Sequence, residues 1–158
     1  MGKTILIPID FEVESLNTAK LLLSEAKEPV KILLVYSEHL SDSIPELMFY
    51  SPVKRIDAMM THEFREALAI LRNRFSEKLM GIEVMLFHGT NRSAFRNFIE
   101  SNNVDEVHLP KTYSLRKKKN SIDVSPYVAQ TKVSVHEHDW MSHPSAGVQS
   151  QLHLLFNT

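Results

Sequence analysis

A chain of 158 residues with 43% hydrophobic and 23% charged side chains fits one globular domain and excludes a disordered polymer. The net charge of -1 excludes a general attraction to nucleic acid or anionic lipid. The absence of cysteine excludes disulfide frameworks, thiolate metal sites and cysteine nucleophiles. It fits a reducing compartment, and a cytoplasmic location is the expectation. Met1-Gly2-Lys3-Thr4 runs straight into a short apolar stretch, without the longer core and cleavage site of a signal peptide. No apolar run approaches the ~20 residues that span a bilayer.

Thr4 to Ile9 is β-branched and apolar throughout, which suits a strand buried on both faces of a parallel sheet. Pro8 conflicts with a central strand unless it occupies the last ladder positions. Leu16, Ala19, Leu23 and Ala26 recur at helical spacing, Pro29 ends that helix, and Val30 to Tyr36 reads as a second buried strand. Residues 38–56 form a long connection with Pro45, Pro52 and an apolar cluster of Leu47, Met48, Phe49 and Tyr50, the composition of a lid or binding loop. The longest helix carries Met60, Phe64, Leu68, Leu71, Phe75 and Leu79 on one stripe, with Gly81 as its stop and Met59-Met60 in the core.

Ile82 to His88 predicts a third strand. Asn91 or Thr90 caps a helix presenting Phe95, Phe98 and Ile99, and Asn102-Asn103 closes it through left-handed geometry. Val104 to Leu109 predicts a fourth strand, followed by a polar, basic loop from Lys111 to Asn120. A short helix over Val124 to Ala129 leads to a last strand at Lys132 to His136. This alternation predicts right-handed crossovers and a parallel sheet with helices on both faces. The expected organisation is one α/β domain over 1–138 with a C-terminal tail over 139–158.

Several of these segments together resemble the universal stress protein family. Ile5-Leu6-Ile7-Pro8-Ile9-Asp10-Phe11 is similar to that family's first strand, Ser15 to Ala19 to the start of its first helix, Val104-Asp105-Glu106-Val107-His108-Leu109 to its fourth strand, and Val124-Ser125-Pro126-Tyr127-Val128 to the start of its last helix. The resemblance implies a three-layer α/β sandwich of the adenine nucleotide alpha hydrolase-like type, with a five-stranded sheet in the order 3-2-1-4-5. It also implies a ligand position at the carboxyl ends of strands 1 and 4. Asp10 and Val35 match positions that contact base or ribose. ATP-binding members carry a G-x2-G-x9-G-[ST] loop whose backbone N–H groups cradle phosphates. Here the corresponding positions read Pro110, Tyr113 and then Ile122 or Asp123. None is glycine, proline has no N–H, and Asp123 puts a negative charge where a phosphate sits.

The residues assigned to a vestigial nucleotide site are therefore Asp10, Val35, Pro110, Arg116, Lys117 and Lys118. Asp10 has a plainer role as the cap of the next turn. Arg116-Lys117-Lys118-Lys119 is either a solvated loop or an anion site built from side chains, with nucleic-acid binding the least supported reading. Strand 3 ends Phe87-His88-Gly89 without a phospho-accepting aspartate, and the acidic Asp10-Phe11-Glu12-Val13-Glu14 does not suit a flavin phosphate loop. His136 and His138 share one face of a strand beside Asp139. They are a metal-capable pair or the wet face of an edge strand, and no metal site is assigned. His39, His88, His108, His143 and His153 are scattered. No catalytic motif is present.

The expectation is a non-catalytic stress-response or regulatory protein, with no cofactor, acting through partner binding or as a homodimer through the last strand. The alternative is a protein binding ATP or AMP through a divergent phosphate site. A third reading is an anion or metabolite pocket under a 38–56 lid. The apolar tail residues Leu152, Leu154, Leu155 and Phe156 are expected to cover the sheet edge or to cross to a partner copy.

Overall fold

The computed structural model describes residues 2–40, 42–118 and 120–140. The tail residues 141–158, and with them most of the expected tail, lie outside the described residues. In chain order the elements are β1 (Thr4–Pro8), a 3-10 turn (Val13–Leu16), α1 (Asn17–Glu25), β2 (Val30–Ser37), α2 (Ile44–Met48), α3 (Pro52–Met59), α4 (His62–Arg74), β3 (Leu79–Phe87), α5 (Arg92–Ser101), β4 (Glu106–Pro110), α6 (Ser125–Val128) and β5 (Ser134–His138). The five strands form one sheet in the order β3-β2-β1-β4-β5, parallel at every pairing.

Two apolar layers explain the continuous hydrophobic runs of the central strands. On one face Ile5 and Ile7 of β1, Ile9 just beyond it, and Ile32, Leu34 and Tyr36 of β2 pack with Leu22 and Leu23 of α1 and Phe64, Leu68 and Leu71 of α4. On the other, Leu6, Leu33, Val35 and Val107 pack with Phe95 and Ile99 of α5 and Val128 of α6. Alternate residues of a strand point to opposite faces, so a strand covered on both must be apolar at every position.

Pro8 closes β1, as the ladder argument requires. The N–H of Ile9 donates to the Val35 carbonyl at 2.9 Å, so the imide nitrogen of Pro8 turns toward β4. The β1–β4 pairing has already ended at Leu6↔Val107, and no ladder bond is lost there. The Asn91 side chain accepts from the Ala94 N–H at 2.8 Å and caps α5, and Asn103 closes that helix at φ 53°.

The third strand starts three residues earlier than expected, at Leu79, the fourth two residues later, at Glu106, and three further boundaries depart from the sequence reading. The stripe from Met60 to Leu79 is not one helix: α4 spans His62–Arg74, and Met60, Phe75 and Leu79 outside it pack on the same core. Gly81 does not stop the helix. It lies within β3, where the register passes from Val30↔Leu79 to Lys31↔Gly81 and leaves the exposed Met80 as the extra residue of a bulge. The last strand begins and ends two residues later, at Ser134–His138, because Glu106 pairs with Ser134 and Pro110 with His138. The 38–56 connection is also more ordered than a loop, since it contains α2 and the start of α3, each with proline in its first turn.

Candidate functional site

β1 and β4 pair only at Ile5↔Glu106 and Leu6↔Val107. Beyond that point β1 follows β2 and β4 follows β5, and a crevice opens at their carboxyl ends. It forms a cavity of about 540 Å³ lined by Asp10, Val35, Ser37, Pro110, Arg116, Lys117 and Asp123 among others.

The sequence-assigned residues converge here with one exception. Lys118 lies outside the lining: its ammonium stands 3.8 Å from a Glu12 carboxylate oxygen and 5.9 Å from the centre of the Phe11 ring. No residue of the 38–56 connection lines the cavity, so the expected lid does not cover it.

Asp10 is 1% exposed and fully engaged by the protein. One carboxylate oxygen accepts from the Glu12 N–H at 3.0 Å, which caps the turn after β1. The other accepts from the Tyr113 hydroxyl at 2.6 Å and the Arg116 N–H at 2.8 Å. Burial, and then the hydrogen bond to Asp10, push the Tyr113 phenol far above its ordinary value, so Tyr113 remains the donor at neutral pH. Its ring packs on Trp140 at 4.6 Å between centroids. The loop after β4 is thus folded back onto Asp10.

The same loop directs three further amides at its own and neighbouring oxygens. The Lys118 N–H donates to Ser121 Oγ at 3.0 Å, and the Ser121 N–H to the Lys118 carbonyl at 2.9 Å. The Ile122 N–H donates to the Ser37 carbonyl at 2.8 Å, and the Asn120 carbonyl accepts from the His39 N–H at 2.7 Å. Asn120 takes φ 67° to make that turn, a left-handed conformation asparagine tolerates. The Asp123 carboxylate accepts the Ser125 N–H at 2.9 Å, at the start of α6. An anion arriving here meets Arg116, Lys118, Ile122 and Ser125 amides already directed at protein oxygens.

Sequence reasoning missed Tyr113 as the partner of Asp10, since its position was weighed only for the glycine it lacks. It also missed Ser37, whose buried hydroxyl lines the cavity without a hydrogen-bond partner among the described residues. Neither had a sequence signal, because the Tyr113 bond and the cavity beside Ser37 bring together segments far apart in the chain.

Solved structures with this architecture share it along nearly their whole length. A universal stress protein, UspA, from Lactobacillus plantarum matches at a TM-score of 0.54 with 10% identity, covering 85% of this chain and 96% of that one. A universal stress protein family protein from Arabidopsis thaliana, solved with AMP bound, matches at 0.53 with 9% identity, covering 91% and 95%. The hypothetical protein MJ0577 matches at 0.55 with 16% identity, covering 90% and 99%. This chain has the universal stress protein fold. No family model and no curated protein matches the sequence. In the universal stress protein framework the cavity lies at the β1/β4 switch point, which is where the sequence resemblance implied a ligand position. No helix among the described residues is long and apolar enough to cross a membrane.

Proposed function

We propose that this chain is a divergent universal stress protein, a non-catalytic regulatory protein of the cytoplasm that acts through self-association or partner binding and does not hold ATP tightly. The observation that carries this reading is the state of the loop after β4. The Arg116, Lys118, Ile122 and Ser125 amides bond to Asp10, Ser121, Ser37 and Asp123 rather than standing free for phosphates. A triphosphate would have to displace those bonds and approach the Asp123 carboxylate. Calorimetry with magnesium and ATP should give no saturable heat at micromolar concentrations. A micromolar dissociation constant would overturn the reading.

One observation favours the alternative of a mononucleotide site. The cavity, at about 540 Å³, falls within the size of small-ligand sites, and Lys111, Arg116 and Lys117 bring cationic side chains to it. The Arabidopsis protein of this fold was solved with AMP. Saturable heat with AMP, abolished in an Arg116→Ala/Lys117→Ala variant, would establish this alternative in place of the first.

Association has support at the sheet edge. β5 is the terminal strand of the sheet, and Val135 on it is 42% exposed. Unpaired backbone groups along such an edge are normally covered or paired. Ile44, Met48, Phe49 and Val53, on and beside helices α2 and α3 toward the opposite, β3 end of the sheet, are each more than seven-tenths exposed, which suits a protein partner. Light scattering should give a dimer for the intact chain and a monomer for Val135→Lys. A monomeric intact chain ends the dimer proposal.

A further inference from the structure

The α1-facing side of the sheet changes character between β1 and its last two strands. On β1 and β2 that face is isoleucine, leucine and valine, with Tyr36 at the end of β2. On β4 and β5 the alternation that turns Val107 and Leu109 to the opposite core brings Glu106, His108, His136 and His138 to this side. The parallel register sets His108 beside His136, and their rings stack with centroids 4.6 Å apart and planes 16° apart. His108 and His138 also stack, at 4.9 Å.

The polar atoms converge on Glu106. One of its carboxylate oxygens lies 3.0 Å from His108 Nε2, and the other lies 3.7 Å from His136 Nε2. One donor atom from each of Glu106, His108 and His136 falls within 4.8 Å of the others. His108 and Glu106 have side-chain exposures of only 6% and 13%, whereas His136 is half exposed. Burying a carboxylate and an imidazole at a strand pair carries a desolvation penalty that apolar side chains would avoid.

From this arrangement we infer that Glu106, His108 and His136 form a binding site for a divalent transition-metal ion of the zinc class. Two imidazoles and a carboxylate are a donor set suited to such ions. Around a tetrahedral zinc ion, bonds of about 2.0–2.2 Å hold neighbouring donors roughly 3.3–3.5 Å apart. One ligand atom from each residue already lies within 4.8 Å of the others, and the two Glu106 oxygens stand 3.0 and 3.7 Å from the His108 and His136 nitrogens, so modest rotations of the carboxylate and imidazoles bring three donors to that spacing. The exposed side of His136 leaves the fourth position to water.

Two neighbours complete the site. His108 Nδ1 lies 2.7 Å from His138 Nε2. With Nε2 on the metal, His108 carries its proton on Nδ1 and donates it to His138, the outer contact that orients a ligating histidine. His138 is thus a positioning residue. Lys3 bonds the Glu106 oxygen on the His136 side at 2.7 Å, and its side chain is 60% exposed. Its flexible ammonium can hold that oxygen while the metal takes the other, or swing into water. The site is separate from the cavity, and nothing in it depends on nucleotide binding.

Zinc chloride titrated calorimetrically into the intact, untagged chain should give one saturable site in the low micromolar range or tighter. Glu106→Gln and His136→Ala should each weaken it at least about tenfold, and His138→Ala by about tenfold with the stoichiometry unchanged. His136 is half exposed, so its alanine variant is expected to fold, and circular dichroism checks this. Cobalt substitution should give the intense visible bands of a low-coordinate site in the wild type and lose them in His136→Ala. Either no saturable zinc heat, or binding that persists unchanged in Glu106→Gln and His136→Ala because other surface histidines hold the ion, overturns the inference.

Discussion

Replacing Asp10 with alanine should lower the unfolding free energy by about 3 kcal/mol, the sum of lost charge-assisted hydrogen bonds and stranded donors. Asp10 is 1% exposed and accepts from the Glu12 N–H, the Tyr113 hydroxyl and the Arg116 N–H. Alanine leaves the phenol, itself 8% exposed, without its acceptor and releases the loop that Arg116 anchors. For a chain of this size the loss corresponds to a fall in melting temperature of about 6–12 °C. Tyr113→Phe removes one bond and leaves the carboxylate two partners, so it should lose only about 1–2 kcal/mol. Urea denaturation of both variants measures the difference. Hydrogen exchange should also show faster exchange of the Arg116, Lys118 and Ile122 amides in Asp10→Ala. A loss below about 1 kcal/mol would mean that the loop is held without Asp10.

The sheet was readable from sequence because its signals are local. Ile5, Leu6 and Ile7, or Ile32, Leu33 and Leu34, are apolar at consecutive positions, which only burial on both faces explains. Asn91 and Asn103 announced the ends of α5 by chemistry that acts within one turn. The failures lie where packing extends a pattern past its element. Met60 and Phe75, each half-buried, pack on the same core as α4, so the helical period continues beyond both ends of the helix. The site was half legible. Asp10 could be placed at the switch point by topology alone, but its engagement with Tyr113 joins residues 103 apart. The Glu106, His108 and His136 cluster depends on a register between β4 and β5 that no local signal fixes, so His108 stood as a scattered residue.

The 38–56 connection supplies the second large effect. Glu38 has a side chain only 5% exposed, and its carboxylate accepts from Arg55 Nε at 2.9 Å and Nη2 at 2.7 Å. The hydrogen bond to Glu38 holds the Arg55 guanidinium above its usual value. The backbone around Glu38 is fixed as well. Its N–H donates to the Phe87 carbonyl at 3.1 Å, and its own carbonyl lies 3.1 Å from His88 Nδ1. A carbonyl only accepts, so that nitrogen carries the proton. His88 Nε2 then accepts from the Tyr50 hydroxyl 2.5 Å away. Burial raises the Tyr50 phenol, which keeps it a donor. Through Arg55 and Tyr50, α3 and the segment before it are tied to the ends of β2 and β3, although α2 and α3 contain no buried residue. Arg55→Ala should therefore destabilise by about 3 kcal/mol, because it strands a buried carboxylate. Replacing both partners with apolar side chains, as Glu38→Leu/Arg55→Met, should lose less than Arg55→Ala alone. Chemical denaturation of the two variants gives the comparison, and limited proteolysis within 40–56 should accelerate in Arg55→Ala. If the double variant is the less stable of the two, the pair contributes net stability, and the stranded-carboxylate account of the connection fails.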